Sequence, residues 1–389
     1  MWLFLVLSVL ASVATLSAQD ISVANLVLRH GYPFDRHELT TEDGYVLSLF
    51  RIPFGRTDVR KLGPPVILQH GLQCSAACWI VSEPDKGLGF ILADQGYDVW
   101  MPNNRGTTYS KKHRMLNPDS WFDEDKYWDF SFHELGFYDL AASIDYILKA
   151  TGHSTLYYIG HSEGTTQFFA LMSSRPTYNQ KVIHMSALAP VAFMENISGP
   201  ERFSTMYGSG LERFSKLFHS YSVFSGTLTH LLFKLLCNLN LTSQELCNHV
   251  IYLTSGQDPK QLNSTLIPTI TSFVPAGTSI KQLVHYSQLA HNGGKFRQYD
   301  YGKPINKVIY RQDNPPEYDL SKVSTPVVLY HASNDWIADS MDVMKLCKQL
   351  PNCSMILISW PSFNHMDFMW GIDAWKLVYE SIIEKLKRY

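Results

Sequence analysis

Six runs of β-branched, aromatic and other apolar residues punctuate the chain, at 65–69, 97–101, 155–159, 182–188, 326–330 and 355–359. They are too short for core helices and lack strict polar alternation, the pattern of parallel strands buried on both faces. Between and after them the period lengthens. Residues 133–150 place Leu140, Ile144, Ile147 and Leu148 along one helical face, and 370–387 do the same with Ile372, Trp375, Tyr379, Ile382 and Leu386. Strand and helix in alternation predict a doubly wound α/β architecture with a mostly parallel sheet. The rhythm breaks between about 192 and 319, where helical and loop patterns are interrupted by Pro200, Pro259, Pro268, Pro275, Pro304, Pro315 and Pro316. The expected organisation is one core in two parts, 19–191 and 320–389, with a largely helical cap and lid insertion at 192–319.

The third run ends in Gly160-His161-Ser162-Glu163-Gly164, followed by a stretch with helical character. A serine at such a strand-to-helix elbow projects its hydroxyl from the sheet edge, and the flanking glycines permit close backbone approach. In open α/β sheets ligands sit beyond the carboxyl ends of the strands, where this elbow lies. A serine nucleophile needs a histidine base, itself oriented by a carboxylate, and on this kind of sheet the chain order is Ser, acid, His. Asp335 follows the 326–330 run and His365 follows the 355–359 run, so Ser162, Asp335 and His365 form the candidate triad. Asp339 and Asp342 compete for the role of the acid. The tetrahedral intermediate of acyl transfer also needs fixed N–H donors. The residue after the nucleophile, Glu163, supplies one, and Leu72 in the loop Gln69-His70-Gly71-Leu72 supplies the other, with His70 in a structural role. Arg105 is expected to support that loop through hydrogen bonds, and Asp139 to make an ordinary polar contact. Trp121, Phe122, Tyr127, Trp128, Phe130 and Phe132 are expected in core and cap packing rather than as a carbohydrate platform.

Bulk properties narrow the partners. The 389 residues carry a formal charge of -2, which offers no basic field for nucleic acid. Residues 1–18 are apolar or small and uncharged, matching the core of a secretory signal peptide. No later stretch is long and apolar enough to cross a bilayer; 217–236 comes nearest but contains His219, His230 and Lys234. An oxidising compartment would let the six cysteines pair, and close pairs are the economical choice: Cys237 with Cys247 and Cys347 with Cys353, Cys74 and Cys78 pairing or staying free. Sequons at Asn196, Asn240, Asn263 and Asn352 offer glycosylation sites, the last with Cys353 inside it. The apolar segments 217–224 and 228–236 suit a lid that lies at an interface or covers an apolar tunnel.

Several motifs in series resemble the acid lipase family, which includes gastric and lysosomal acid lipases and insect lipase 3-like members. They are Thr41-Glu42-Asp43-Gly44-Tyr45, His70-Gly71-Leu72, Asn104-Arg105-Gly106, Trp128-Asp129-Phe130-Ser131 leading to Tyr138-Asp139, the serine elbow, Pro275-Ala276-Gly277-Thr278-Ser279, and Asn364-His365-Met366-Asp367-Phe368. The resemblance implies an α/β-hydrolase fold with a cap and movable lid, acting on acyl esters of neutral lipids such as triacylglycerol or cholesteryl ester at an oil–water or membrane interface. It implies the triad Ser162, Asp335 and His365, oxyanion donors Leu72 and Glu163, and a cap disulfide at Cys237 and Cys247. No metal or organic cofactor is called for. Family members usually carry Gln after the nucleophile. Glu163 departs from that, and an activity more biased to acidic pH than that of a Glu163→Gln variant is expected. The competing expectations are a carboxylesterase of soluble esters and a non-catalytic lipid-binding protein on the same fold.

Overall fold

The computed structural model describes residues 22–57, 62–206, 208–225 and 255–389, together with 237, 247, 249 and 252. The expected signal segment 1–18, the sequon at Asn240 and the 228–236 run lie outside the described residues.

Among the described residues eleven strands follow in chain order: β1 Asp35–Thr40, β2 Tyr45–Ile52, β3 Pro65–Gln69, β4 Asp98–Pro102, β5 Lys112–His113, β6 Leu156–His161, β7 Val182–Leu188, β8 Ser222–Val223, β9 Thr278–Ser279, β10 Val327–His331 and β11 Cys353–Leu357. The main sheet has the order β1-β2-β4-β3-β6-β7-β10-β11, with β5 paired to β2. All pairings from β4 to β11 are parallel, whereas β2 is antiparallel to β1, β4 and β5. All six apolar runs thus become parallel strands, two with the predicted bounds and four shifted by one or two residues. The hairpin β1–β2 was not legible from such runs. Its outer strand, Asp-Arg-His-Glu-Leu-Thr, buries only Leu39 because it closes the sheet edge against solvent.

The helices that frame the sheet and its reactive edge are α1 Ala141–Thr151, α2 Glu163–Ser174, α3 Gly208–Phe218, α4 Ile280–His291, α5 Ser340–Gln349 and α6 Glu380–Leu386. α1 continues a helical path that starts at Ser131, where the Ser131 and Glu134 side chains form a reciprocal capping box, and it stops at left-handed Gly152. α1 packs on β1 and β3, α2 on β6, and α5 on β10 and β11. The expected single helix over 370–387 is instead broken at Gly371, whose N–H bonds back to Asp367 O. Its final part runs through a wider turn at Trp375–Tyr379 into α6.

Three disulfides form: Cys74–Cys78, Cys237–Cys247 and Cys347–Cys353. The two expected pairs are present, and the first resolves the open alternative for Cys74 and Cys78. Of the aromatic group expected in packing, Tyr127, Trp128, Phe130 and Phe132 are buried. Trp121 and Phe122 are not; both are exposed on the segment that follows β5.

Candidate active site

The strand order puts β6 at the centre of the sheet between β3 and β7, and Ser162 stands at its carboxyl end. Its backbone is at φ 52, ψ -119, a conformation that costs a side-chain-bearing residue on the order of 1–3 kcal/mol. Neighbours hold it there. Ser162 N–H donates to Leu188 O at 3.0 Å, and Ser162 O accepts from Thr165 N–H at 2.8 Å and Thr165 Oγ1 at 2.6 Å. The elbow glycines are required by contact. A Cβ on Gly164 would lie 2.4 Å from Gln69 O, and one on Gly160 would lie 2.9 Å from the Gly164 carbonyl.

Asp335 follows β10 directly. Its Oδ1 accepts from the backbone N–H groups of Ile337 at 2.9 Å and Ala338 at 2.8 Å, which fixes the carboxylate. His365 Nδ1 lies 2.9 Å from Oδ2 and 3.0 Å from Oδ1, and both residues are buried. With Nδ1–H donated to the carboxylate, Nε2 is the nitrogen left to act as base. The rival acids are committed elsewhere: Asp339 caps α5 at Met341 N–H, and Asp342 accepts from Asn196 N–H and Nδ2.

The loop carrying His365 is shaped by its neighbours. Asn364 Oδ1 accepts from the N–H groups of Met366 and Asp367, while Asp367 accepts from Asn364 N–H at 2.8 Å. Burial pushes the Asp367 carboxyl up to about 8. A residue to which the sequence assigned no role joins base to nucleophile. His161, the neighbour of Ser162, donates from Nε2 to His365 O at 2.9 Å, and the two rings are 4.9 Å apart. Burial lowers the His161 imidazole to about 3, so this link is neutral. The only sequence signal was its place inside the elbow.

The candidate oxyanion donors stand on one loop and one helix start. His70 donates from Nδ1 to Gly71 O at 2.8 Å, and its Nε2 accepts from Asn104 N–H at 3.2 Å. These two bonds fix one neutral tautomer, and burial lowers the ring to about 4. Gly71 C=O and Leu72 N–H share a peptide plane, so the grip on one aims the other. A Cβ on Gly71 would stand 3.0 Å from Ser162 Cβ, which shows how closely this loop passes the serine. Glu163 opens α2, where the first N–H groups of a helix have no partner within it. Its side chain is buried against α4, accepting a hydrogen bond from Gln282 Nε2 and lying within reach of the Tyr286 hydroxyl. Burial pushes this carboxyl up to about 7, partly opposed by those two bonds.

Arg105 differs from expectation. Its guanidinium does not hold the Gly71–Leu72 loop; Asn104 does that, through His70 and through Gln69 Nε2 at 2.9 Å. Arg105 instead bonds Asp139 at 2.8 Å from Nε and Asp43 at 2.6 and 2.9 Å from its two terminal nitrogens. Asp139 is therefore half of a buried ion pair rather than an ordinary contact. Burial pushes its carboxyl up to about 6, while the same pairing raises Arg105 above its ordinary value. Charge-assisted bonds from Nε and a terminal nitrogen to Oδ1, with the Arg105 backbone N–H donated to Oδ2, keep Asp139 ionised at neutral pH. A cavity of about 360 Å³ lies elsewhere, among Asp129, Glu212, Lys281 and Tyr301, and none of the five candidate residues lines it.

This arrangement has the parts of acyl transfer: a serine at the sheet's carboxyl edge, an imidazole oriented by a buried carboxylate, and two candidate backbone donors on neighbouring loops. Residues 64–372 match the family model for the alpha/beta hydrolase fold, and residues 23–83 match a partial alpha/beta-hydrolase lipase region. The chain is 38% identical over 375 residues to Lipase 1 of Drosophila melanogaster, covering 94% of this chain and 80% of that protein. It is 36% identical to gastric triacylglycerol lipase of Homo sapiens, covering 94% and 91%, and 37% identical to Lipase 3 of Drosophila melanogaster, covering 92% and 91%. Among solved structures, a thermophilic esterase from Thermogutta terrifontis matches with a TM-score of 0.52 at 14% identity, covering 91% of this chain and 98% of that one, a likeness of fold alone.

Proposed function

The chain belongs to the gastric and acid lipase family of the α/β-hydrolase fold, and we propose that it hydrolyses acyl esters of neutral lipids through an acyl-enzyme on Ser162. The observation that carries this reading is the bond from His365 Nδ1 to the buried Asp335 carboxylate, on a loop tied by His161 to the serine elbow. In the proposed reaction His365 Nε2 takes the Ser162 proton as Oγ attacks the acyl carbonyl. The oxyanion accepts from Leu72 N–H and Glu163 N–H. Asp335 stabilises the imidazolium, which returns its proton to the departing alcohol. Water, deprotonated by the same imidazole, then releases the fatty acid.

Triacylglycerol and cholesteryl ester are the proposed substrates, supported by the triacylglycerol lipase named among the relatives. A secreted or lysosomal location is proposed on three disulfides, the apolar segment 1–18 and the four sequons. Asn196 and Asn352 are exposed, and Asn263 is half-buried. Among the described residues no helix is long and apolar enough to cross a membrane. The proposed division remains core at 19–191 and 320–389, with cap and lid at 192–319.

Hydrolysis of emulsified triolein, cholesteryl oleate and a soluble butyrate ester, measured from pH 4 to 8, tests the reading. Emulsion turnover is expected, and Ser162→Ala is expected to abolish it. Turnover of the soluble ester alone would make the protein a carboxylesterase. No turnover of any ester would overturn the catalytic reading.

A further inference from the structure

The turn that carries Leu72 is held from three directions. It runs from Gly71 to Cys74 and closes where Cys74 N–H donates to Gly71 O at 3.2 Å. His70 Nδ1 donates to the same oxygen at 2.8 Å, so the near end of the turn is gripped twice. Its crest is Gln73 at φ 58, a left-handed conformation that a residue with a side chain adopts only at a cost. Gln73 O accepts from Ala276 N–H at 2.7 Å, a contact from the insertion. The far end is held covalently: Cys74 is bonded to Cys78, and both are buried.

Cys78 sits in the short helical turn Ala76–Trp79, which is buried along its whole length. Asn103 Oδ1 accepts from Ala76 N–H at 2.9 Å and ties this turn to the end of β4. The bridge therefore joins the Leu72 turn to a segment packed in the core. It spans a separation of 4 residues, against 10 for Cys237–Cys247 and 6 for Cys347–Cys353. The shortest loop restrains the unfolded chain least, so this bridge has the least to give to global stability. Its restraint is local. Cys74 N–H bonds one side of the rigid Gly71–Leu72 peptide, and Leu72 N–H lies on the other, so a shift of Cys74 swings that donor. An oxyanion donor acts only at hydrogen-bond distance from the place where charge develops.

We propose that the Cys74–Cys78 bridge is a positioning element for the reaction, fixing the turn that presents Leu72 N–H to the oxyanion. The inference rests on the serine-esterase reading and adds how its first donor is held. The test is Cys74→Ser/Cys78→Ser, which removes the bridge without leaving a lone thiol. Cys347→Ser/Cys353→Ser, which frees α5 from β11 at the sheet edge, is the control. Both are compared with wild type for kcat and KM on dissolved butyrate ester at pH 6, and for melting by circular dichroism. The rate at which an aryl phosphonate labels Ser162 is measured too, because the phosphonyl oxygen takes up charge against the same donors. Without the Cys74–Cys78 bridge, kcat and the labelling rate are expected to fall together by about tenfold or more, with KM within about twofold. The control is expected to melt earlier yet keep both rates within about twofold. Unchanged kcat overturns the proposal, as does a fall in kcat without one in labelling, or an equal loss in the control. A bridge variant that is unfolded overturns it as well, because the bridge would then serve the fold and not the donor. A wild-type protein that neither cleaves the ester nor is labelled at Ser162 sinks the esterase reading itself, whatever the variants do.

Discussion

Glu163 serves the site with two groups whose demands conflict. In the proposed reaction its N–H donates to a developing negative charge, while its carboxyl lies buried a few bonds away, facing Gln282 and Tyr286 of α4. Among the described residues no cation offsets it there. Burial holds the carboxyl near about 7, so it is neutral below that pH and ionised above. An ionised carboxyl about 6 Å from the oxyanion would raise the barrier by roughly 2–3 kcal/mol at an effective dielectric near 20. The kcat for a soluble ester is therefore expected to fall between pH 6 and 8 by up to about tenfold relative to Glu163→Gln, the limit set by the roughly one tenth of the carboxyl still neutral at pH 8. A shared pH profile for the two proteins would refute this. Asp335→Asn tests the neighbouring carboxyl differently. It keeps the shape but removes the acceptor that sets the His365 tautomer, so kcat should drop by about 10³–10⁴ with KM little changed.

At the scale of elements, the Arg105 cluster is the joint of the molecule. It ties the end of β4 to the turn between β1 and β2 through Asp43, and to the helical path before α1 through Asp139, with the guanidinium 3.8 Å over the Tyr45 ring. Arg105→Met would strand Asp139 without its counter-charge, and urea unfolding is expected to show a loss of about 3–5 kcal/mol. Adding Asp139→Leu should recover part of that loss, because two apolar groups replace the stranded charge; a double variant no more stable than the single one would refute this account. The same joint shows what a sequence can and cannot disclose. Strands β3, β4, β6, β7 and β10 were legible because their burial on both faces leaves an apolar run, whereas β11, an edge strand of half-buried and exposed residues, was legible from its apolar composition alone. Ser162 and His365 were legible because their places after strands are local facts. That Asp335 rather than Asp339 or Asp342 meets His365 depends on the fold, which aims the N–H groups of Ile337 and Ala338 at its carboxylate. The partners of Arg105, 34 and 62 residues away, and the link from His161 to His365, 204 residues away, depend on strand order and leave no local pattern.

For the whole molecule, buried titratable groups set opposing limits on stability. His70 and His184 are lowered to about 4, and His161 and His285 to about 3, all chiefly by burial. Glu163 and Asp367 are raised to about 7 and about 8 by the same cause. In the unfolded chain the histidines titrate near about 6.5 and the carboxyls near about 4. As pH falls below 6.5 the unfolded chain takes up four protons that the folded one refuses, so stability is lost towards acid. As pH rises above 4 the unfolded chain releases three protons that the folded one keeps, that of Asp139 up to about 6 and those of Glu163 and Asp367 up to about 7 and about 8, so stability is lost towards base until those folded values are passed. Between 4 and 6.5 the four histidines outweigh the three carboxyls and stability climbs; above 6.5 chiefly Glu163 and Asp367 act and it declines. Each unmatched proton contributes at most about 1.4 kcal/mol per pH unit. Thermal melts from pH 4 to 9 should thus show a maximum near pH 6.5 with a fall on both sides. Glu163→Gln should flatten the alkaline side, because it removes one of the two protons still held at pH 6.5 and none of those refused below it. A melting temperature that rises steadily to pH 9, or an alkaline side untouched by Glu163→Gln, would show that this carboxyl is not held neutral by its burial, and the expected fall in kcat above pH 6 would lose its cause as well.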